Sequence, residues 1–175
     1  DYEIVCLSRA VSLLGRKEVL TGKAKFGIFG DGKELPQIAM AKAFQKGDFR
    51  SGYYRDQTFM MAIECLTPQQ IFAGLYAHTD PNHEPMSSGR QMGGHYNTDL
   101  IDENGSWLTQ TDRYNSSSDV SSTASQMPRL VGLAMASKLY RSEKLFDNPK
   151  FSVNGNEVAW GTIGNTSTSE GLFFE

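Results

Sequence analysis

Cysteine is scarce in this chain of 175 residues, and long apolar runs are absent. The only two cysteines, Cys6 and Cys65, both lie in apolar stretches with helical spacing. We interpret them as reduced core thiols and not as a disulfide, which is typical of a cytoplasmic protein. No apolar run approaches the roughly 20 residues that a membrane-spanning helix needs, and no signal-peptide pattern opens the chain. We therefore predict a cytoplasmic protein without a membrane partner.

An excess of positive charge is also lacking. The chain has 17 lysines and arginines against 20 aspartates and glutamates, which gives a formal net charge of −3. The basic residues are scattered and do not form a stripe, which argues against nucleic acid as the main partner. The length is sufficient for one domain with a real core, or for part of a larger domain.

The signatures of several common enzyme classes are missing. The sequence contains no G-x-x-x-x-G-K-[ST] phosphate loop, no G-x-G-x-x-G fingerprint and no G-x-S-x-G nucleophile elbow. Two distant cysteines cannot supply a zinc finger. The three histidines are His78, His83 and His95. The stretch HTDPNH could suggest a metal site, but Pro81 and the loop composition around it argue against one.

What is present is a series of helical patterns. Apolar spacing and end signals predict an N-terminal helix over 1–21 and further helices over 35–46, 58–65 and 68–77. Phe26 to Phe29 could form a short extended piece. Gln126–Tyr140 is apolar over most of its circumference, which predicts a buried helix. A polar loop is expected over Lys144–Gly155.

A long polar stretch separates the fourth helix from the fifth. Residues 78–122 are rich in Gly, Ser, Asn and Asp and poor in apolar residues. Segments of this length without regular structure usually form binding loops or are disordered, and for 115–118 both interpretations stay open. The centre of this stretch, SSGRQMGGHYNT, places Arg90, Gln91 and His95 among glycines. We predict a long active-site loop region here.

The end of the chain combines a strand, a turn and a helix start. The apolar and β-branched run Val158–Ile163 predicts a strand buried on both faces. Gly164 ends it, and Ser167-x-x-Glu170 predicts a capping box that opens a helix. Such a strand end and helix start bring free backbone N–H groups together, which suits a phosphate, although an ordinary βα connection is the alternative. Since the chain stops within this helix, we expect it to continue beyond Glu175.

Five motifs resemble one family in the family's order. They are GKAKFGIFGDGKE, GYYRDQ, GRQMGGHY, SSTASQMPRLVGLAMASK and GTIGNTSTSEG. The family is the α-type subunit of the thiamine-diphosphate-dependent 2-oxoacid dehydrogenases, the decarboxylating component of the pyruvate and branched-chain complexes. The resemblance implies an α/β thiamine-diphosphate-binding fold with a parallel sheet flanked by helices. Residues 1–175 would form a single partial domain, an incomplete N-terminal portion of that fold.

The resemblance also implies site residues. Positions similar to the family's cofactor-binding residues are Tyr53, Tyr54, Arg55, Ser121, Thr123, Gly164, Thr166, Ser167 and Glu170. Within this set, Tyr54 and Arg55 resemble the pair that holds the diphosphate. Positions similar to the substrate-facing residues are Phe26, Met92 and His95. His95 would be suited to catalytic proton transfer. The alternative is a histidine that ties down the Gly-rich loop.

One departure from the family concerns the metal. Asn165 stands where relatives have an aspartate that ligates Mg²⁺, and its amide oxygen brings no charge. The resemblance nevertheless implies thiamine diphosphate and Mg²⁺ as cofactors, a small 2-oxoacid as substrate, and a lipoyl domain of an acyltransferase as acyl acceptor. A β-type subunit or fused β half would supply the glutamate that activates the cofactor. We therefore expect an oligomer and predict that residues 1–175 alone have no turnover.

Three alternatives stay open beside this interpretation. One is a plain phosphate-ligand-binding α/β domain that is unrelated to thiamine. An acetoin dehydrogenase-type thiamine enzyme would share the same five motifs. A catalytically silent relative, acting as a phosphate-ligand-binding or structural subunit, is compatible with Asn165. The motifs do not select the preferred 2-oxoacid.

Overall fold

A computed structural model describes residues 1–143 and 148–175. Its elements in chain order are α1 (Tyr2–Leu20), α2 (Glu34–Ala43), β1 (Phe49–Ser51), α3 (Gln57–Ala62), α4 (Pro68–Leu75), β2 (Asn115–Ser116), α5 (Gln126–Ser142), β3 (Ala159–Gly161), a 3₁₀ turn (Thr166–Ser169) and α6 (Gly171–Phe174). The first four residues of the polar loop expected over Lys144–Gly155 lie outside the described part. None of the described helices is both long and apolar enough to cross a membrane.

The chain divides into two compact units. The helical unit consists of Asp1–Ala43 and Tyr54–Tyr96, and the sheet unit consists of Phe44–Tyr53 and Asn97–Glu175. Helices α1 to α4 belong to the first unit, and all three strands belong to the second. The single domain expected over 1–175 stays a prediction.

The core of the helical unit is tied together by a buried amide. Gln57, at the start of α3, donates through Nε2 to the Ser8 carbonyl oxygen at 3.1 Å and to the Ser12 hydroxyl at 2.9 Å. The hydroxyls of Ser8 and Thr58 lie 2.6 Å apart. These bonds satisfy polar groups that would otherwise be costly to bury, and they hold α3 against α1.

Two predicted helices in this unit differ from the observed ones mainly at their C-termini. Helix α2 ends at Ala43 and α3 ends at Ala62, and each end lies three residues before the predicted one. Glu64 has a positive φ of 60°, which α-helix does not allow. Helix α4 starts at Pro68 as predicted, because the Thr67 hydroxyl and the Gln70 side chain form a reciprocal capping box.

The sheet unit is built on a parallel three-stranded sheet with the order β2-β1-β3. Phe49 pairs with Asn115 on one side and with Ala159 on the other. Just before β1, the Asp48 carboxylate accepts hydrogen bonds from the Val158 backbone and the Trp160 indole, both at 2.8 Å. The predicted α/β class, a parallel sheet flanked by helices, is confirmed.

The long polar stretch is largely irregular but contains a sheet strand. Asn115 and Ser116 are fully buried and form β2. Disorder, one of the two interpretations open for 115–118, is therefore wrong for these two residues. Ile101 and Trp107 form an isolated antiparallel bridge. The extended piece expected over Phe26–Phe29 is not part of the described sheet.

The predicted terminal strand and its capping box are corrected. Strand β3 is shorter than predicted and partly exposed, since it is an edge strand with β1 as its neighbour, and Val158 is 51% exposed. The Ser167 side chain does not cap α6. Ser167 instead lies in the 3₁₀ turn, where its N–H bonds to the Gly164 carbonyl at 3.0 Å. Glu170 is the N-cap of α6 without a side-chain bond.

The prediction that α5 is buried is wrong for this chain. Val131 is 68% exposed and Met135 is 58% exposed, because α5 packs on β1, β3 and α6 with only one of its sides. The core thiols are also corrected in part. Cys6 lies exposed on α1, whereas Cys65 is half-buried, and the two cysteines form no disulfide with each other.

Candidate functional site

The three parallel strands end at one edge of the sheet. Strands β1, β2 and β3 end at Ser51, Ser116 and Gly161. Because the strands are parallel, the segments that follow them leave from the same edge, which is where open α/β sheets bind ligands. Those segments carry most of the predicted cofactor-binding residues, namely Tyr53, Ser121, Thr123, Gly164, Thr166, Ser167 and Glu170. We call this region the strand-end edge.

Three of the predicted residues converge at the strand-end edge. A methyl group built on Gly164 would lie 3.1 Å from the Tyr53 hydroxyl oxygen and 3.4 Å from the Ser167 hydroxyl oxygen. Only a residue without a side chain leaves this space open between the two hydroxyls. Ser167 is itself buried. Two hydroxyl groups around bare backbone form a small polar cradle, a donor set suited to a phosphate oxygen.

A buried ion pair joins β1 to the segment that follows β2. The Arg50 guanidinium binds the Asp119 carboxylate through two parallel bonds, Nη1 to Oδ1 at 2.9 Å and Nη2 to Oδ2 at 3.1 Å. The two side chains are 0% and 1% exposed. Nη1 also donates to the Ser116 hydroxyl at 2.7 Å, and Nη2 donates to the Tyr53 carbonyl at 3.0 Å. We call this group the Arg50–Asp119 clamp.

A second set of bonds joins the strand ends to α5. The Ser51 hydroxyl donates to the Gln126 carbonyl at 2.9 Å, and Gln126 Nε2 donates to the Thr162 carbonyl at 2.9 Å. One residue at the start of α5 therefore contacts the ends of both β1 and β3. Ser121 and Thr123 lie in the exposed turn just before this helix.

The remaining residues of the terminal turn face solvent. Asn165, Thr166 and Glu170 are exposed, and the Asn165 carbonyl accepts a hydrogen bond from the Thr168 hydroxyl at 2.6 Å. Within residues 1–143 and 148–175, no three side chains of His, Cys, Asp or Glu converge as a metal site would require. Asn165, the predicted metal ligand, carries a neutral amide, which is a weak ligand by itself.

Tyr54 and Arg55 open the second segment of the helical unit. The Arg55 guanidinium carbon lies 5.7 Å from the centre of the Tyr54 ring, a cation–π distance. The backbone at Arg55 is held firmly, because its carbonyl accepts a bond from Gln37 Nε2 at 2.9 Å. A side chain at Gly30 would collide with the same carbonyl oxygen. Arg55 and Arg16 line one surface cleft of this unit.

The Gly-rich loop of the helical unit is organised by Glu84. One carboxylate oxygen accepts bonds from Ser87 N at 2.9 Å, Ser87 Oγ at 2.8 Å and Gly89 N at 2.9 Å. The other oxygen accepts from Met86 N at 3.0 Å. Burial raises the pKa of Glu84, but the bonds from these residues together lower it more, so that the pKa lies below the ordinary glutamate value. Glu84 is therefore a buried anion held by its own loop.

His95 and Met92 lie at the other end of this loop. His95 Nδ1 donates to the Met92 carbonyl at 2.6 Å, since a carbonyl can only accept. Both residues line a cleft whose other walls include Phe29, Leu75 and Glu84. Phe26, predicted to face substrate with them, is 45% exposed and is not among the residues that line this cleft.

Sequence reasoning missed three residues that organise these regions. They are Arg50, Asp119 and Glu84. An arginine inside a short strand, in DFRSG, was a signal for a buried partner, because an unpaired charge is rarely buried. Glu84 precedes PMSSG, whose serines and glycine favour a tight turn with N–H and hydroxyl donors that suit a carboxylate. Nothing in the sequence indicates which acid pairs with Arg50.

Comparison with known proteins identifies the family. The profile of the dehydrogenase E1 component family matches residues 2–175, which is almost the whole chain. No curated protein matches the chain significantly. The matched family supports a thiamine-diphosphate-dependent enzyme of 2-oxoacid oxidation with a thiamine-diphosphate-binding fold. The chain belongs to the dehydrogenase E1 component family.

Proposed function

We propose that this chain is the α-type part of a 2-oxoacid dehydrogenase that decarboxylates a 2-oxoacid and passes the acyl group to a lipoyl arm. The observation that carries the proposal is the cradle at the strand-end edge, where the hydroxyls of Tyr53 and Ser167 surround Gly164. Family membership supplies the reaction class, and the cradle supplies a place for the phosphate end of the cofactor.

The residues present fit a diphosphate better than they fit a metal ion. Gly164 carries no side chain, so an anionic oxygen can approach its backbone between the hydroxyls of Tyr53 and Ser167. Ser121 and Thr123 contribute further hydroxyl groups after β2. For Mg²⁺, Asn165 would be the neutral ligand that this chain contributes.

Thiamine diphosphate, when bound, supplies the nucleophilic carbon and the electron sink for decarboxylation. The task of this chain is to bind and orient. Tyr53, Ser167 and the backbone at Gly164 hold the phosphate end, with Thr166 and Glu170 beside them. On the substrate side, His95 donates from Nδ1 to Met92, so Nε2 is the acceptor in the neutral ring and can take up or return a proton.

Arg55 and Tyr54 are proposed as further diphosphate ligands. The guanidinium can form two parallel bonds to phosphate oxygens, a geometry that lysine cannot reproduce. The cation–π arrangement with Tyr54 holds the guanidinium near one orientation before the ligand arrives. Phe26 and Met92 are proposed to face the substrate, and their apolar side chains favour an aliphatic 2-oxoacid.

The partners follow from the same proposal. A β-type subunit or fused β half supplies the activating glutamate, and the lipoyl domain of an acyltransferase receives the acyl group. We expect a hetero-oligomer in which this chain has no turnover alone. Cytoplasmic location stays a prediction that cell fractionation can test.

One observation favours a second candidate, a catalytically silent relative. Asn165 is neutral, and the described residues gather no acidic cluster for a cation. Such a subunit would bind a phosphate-bearing ligand or stabilise an assembly without decarboxylating. A full complex that binds thiamine diphosphate but releases no CO₂ from any 2-oxoacid would favour it.

The deciding experiment is calorimetric titration of the full-length protein, assembled with its β-type partner, with thiamine diphosphate and Mg²⁺. We expect saturable binding and release of CO₂ from a short panel of 2-oxoacids. Arg55→Ala should weaken cofactor binding at least about tenfold, the usual loss for a charged hydrogen-bond pair. Arg16→Ala is the matched control, because Arg16 lines the same cleft, is bound to Asp31 at 2.6 Å and is not a proposed cofactor ligand. Absence of binding would exclude the proposed function.

A further inference from the structure

We infer that the Arg50–Asp119 clamp is a positioning device for the cofactor site, acting through Tyr53. This inference rests on the proposed function, since it assigns a role within the same strand-end edge. Arg50 does not line the cradle. Its guanidinium donates to the Tyr53 carbonyl at 3.0 Å. The clamp therefore holds the backbone that carries the Tyr53 side chain.

The geometry of the clamp joins two strand ends. Arg50 lies in the middle of β1, Ser116 is the last residue of β2, and Asp119 follows three residues later. The planar guanidinium of Arg50 donates through Nη1 to the Ser116 hydroxyl and the Asp119 carboxylate, and through Nη2 to the Tyr53 carbonyl. A lysine ammonium has no fork and cannot reproduce this arrangement. The clamp therefore couples the segment after β1 to the segment after β2.

Stability alone does not explain a buried ion pair at this place. Removing two charges from water costs several kcal/mol for each charge. A well-packed pair of apolar side chains in the same place often gives a fold that is equally stable or more stable. An ion pair with two parallel hydrogen bonds also fixes the relative orientation of the two side chains, because these bonds form only over a narrow range of angles. Orientation matters at the strand-end edge, because a shift of Tyr53 would change the space above Gly164.

Gly52 shows how closely the guanidinium approaches the backbone. A methyl group at this position would collide with the Arg50 guanidinium carbon and nitrogens. The side chain of Arg50 thus folds back across Gly52 to reach the Tyr53 carbonyl. This gives a second way to disturb the clamp, since Gly52→Ala displaces the guanidinium while both charges remain.

The test is the affinity of the full complex for thiamine diphosphate and Mg²⁺, measured by calorimetry in two backgrounds. In the wild-type background, we expect Arg50→Lys, Asp119→Asn and Gly52→Ala to weaken binding about tenfold or more. In a Tyr53→Phe background, we expect each change to cost less than about threefold, because the group that the clamp positions is gone. A purely structural role would give the same fold-loss in both backgrounds.

The matched control is Arg9→Lys. Arg9 also holds a buried carboxylate with two bonds, to Glu34 at 2.6 and 2.9 Å, but within the helical unit. We expect less than about a twofold change in cofactor affinity for this variant. Ser116→Ala, which removes one hydrogen bond from the guanidinium and keeps both charges, replaces any clamp variant that fails to fold. It should still weaken binding severalfold.

The outcomes separate this inference from the proposed function. If the wild-type complex does not bind thiamine diphosphate, the proposed function is wrong. If it binds, and the clamp variants bind equally well or lose affinity equally in both backgrounds, the positioning role is wrong. A loss in the wild-type background that shrinks in the Tyr53→Phe background supports it.

Discussion

Two buried charges, Glu84 in the helical unit and Arg50 in the sheet unit, are neutralised in opposite ways. In the helical unit, the Glu84 carboxylate is held by N–H and hydroxyl groups of Met86, Ser87 and Gly89, all within five residues of it. In the sheet unit, Arg50 is held by Asp119, which lies 69 residues away in the chain. The first solution is local and shapes one loop. The second joins distant segments and exists only after the sheet has formed.

This difference predicts how each site fails. Loss of the Glu84 carboxylate leaves several N–H groups of its loop without an acceptor. Part of the loop can then change conformation so that water accepts these hydrogen bonds. Loss of one member of the Arg50–Asp119 clamp leaves a whole charge in a place that water does not reach. We therefore expect the sheet unit to suffer the larger loss of stability.

The largest expected effect is that of Asp119→Ala. An uncompensated buried guanidinium should lower the free energy of unfolding by about 3–5 kcal/mol. Urea denaturation followed by circular dichroism measures this, with the exposed Asp112→Ala as control. A loss below about 1 kcal/mol would mean that water reaches Arg50, and the contrast between the units would disappear.

The next effect is that of Glu84→Ala. It removes the acceptor of three backbone N–H groups, and we expect a loss of about 2–3 kcal/mol with faster proteolysis within 84–95. Limited proteolysis and denaturation together check this, with the exposed Glu3→Ala in the same unit as control. A loss as large as that of Asp119→Ala would show that local and distant neutralisation are equally demanding.

A smaller effect concerns pH. The pKa of Glu84 is lowered in the folded chain, so its contribution to stability is complete above the ordinary glutamate value of about 4.3 and is lost as pH falls through the folded value. The destabilisation caused by Glu84→Gln, about 1 kcal/mol at neutral pH, should therefore shrink below pH of about 4. Denaturation curves at several pH values measure it, with Glu103→Gln as control. A constant difference would mean that Glu84 binds its proton equally well in both states.

The smallest effect on stability is expected for Gly164→Ala. The added methyl would meet the Tyr53 hydroxyl at 3.1 Å, which small shifts can relieve, so we expect a loss below about 1 kcal/mol. Cofactor affinity should fall severalfold nonetheless, because the methyl occupies the cradle. Gly171→Ala, where the methyl meets nothing within 4 Å, is the matched control. Unchanged affinity would argue against the cradle as the phosphate site.

Local signals predicted the helical unit well. The N-terminal helix follows from apolar spacing with an acid in its first turn and a lysine in its last. The start of α4 follows from Thr67 and Pro68, a cap and a first-turn proline that act within four residues. Such features need no knowledge of the rest of the chain, because the groups that satisfy each other are sequence neighbours.

Signals that depend on distant partners failed or were incomplete. The apolar circumference of α5 predicted burial, yet in this chain Val131 and Met135 are exposed, since a sequence pattern does not say what lies opposite each face. The capping box at Ser167 failed because that side chain lies buried beside Gly164 in a 3₁₀ turn. The five family motifs were sufficient for the family, which the profile match over residues 2–175 confirms.

By itself, the sequence determined the helix starts that depend on neighbouring caps, the parallel α/β class through its family motifs, and the membership of the E1 component family. Only the tertiary structure decided that Arg50 is paired with Asp119, that Tyr53 and Ser167 meet over Gly164, and that α5 keeps an exposed side. The reason is the separation along the chain between the residues that interact. Caps and turns are closed by atoms a few residues apart, whereas an ion pair or a cradle between strand ends requires the register of the whole sheet.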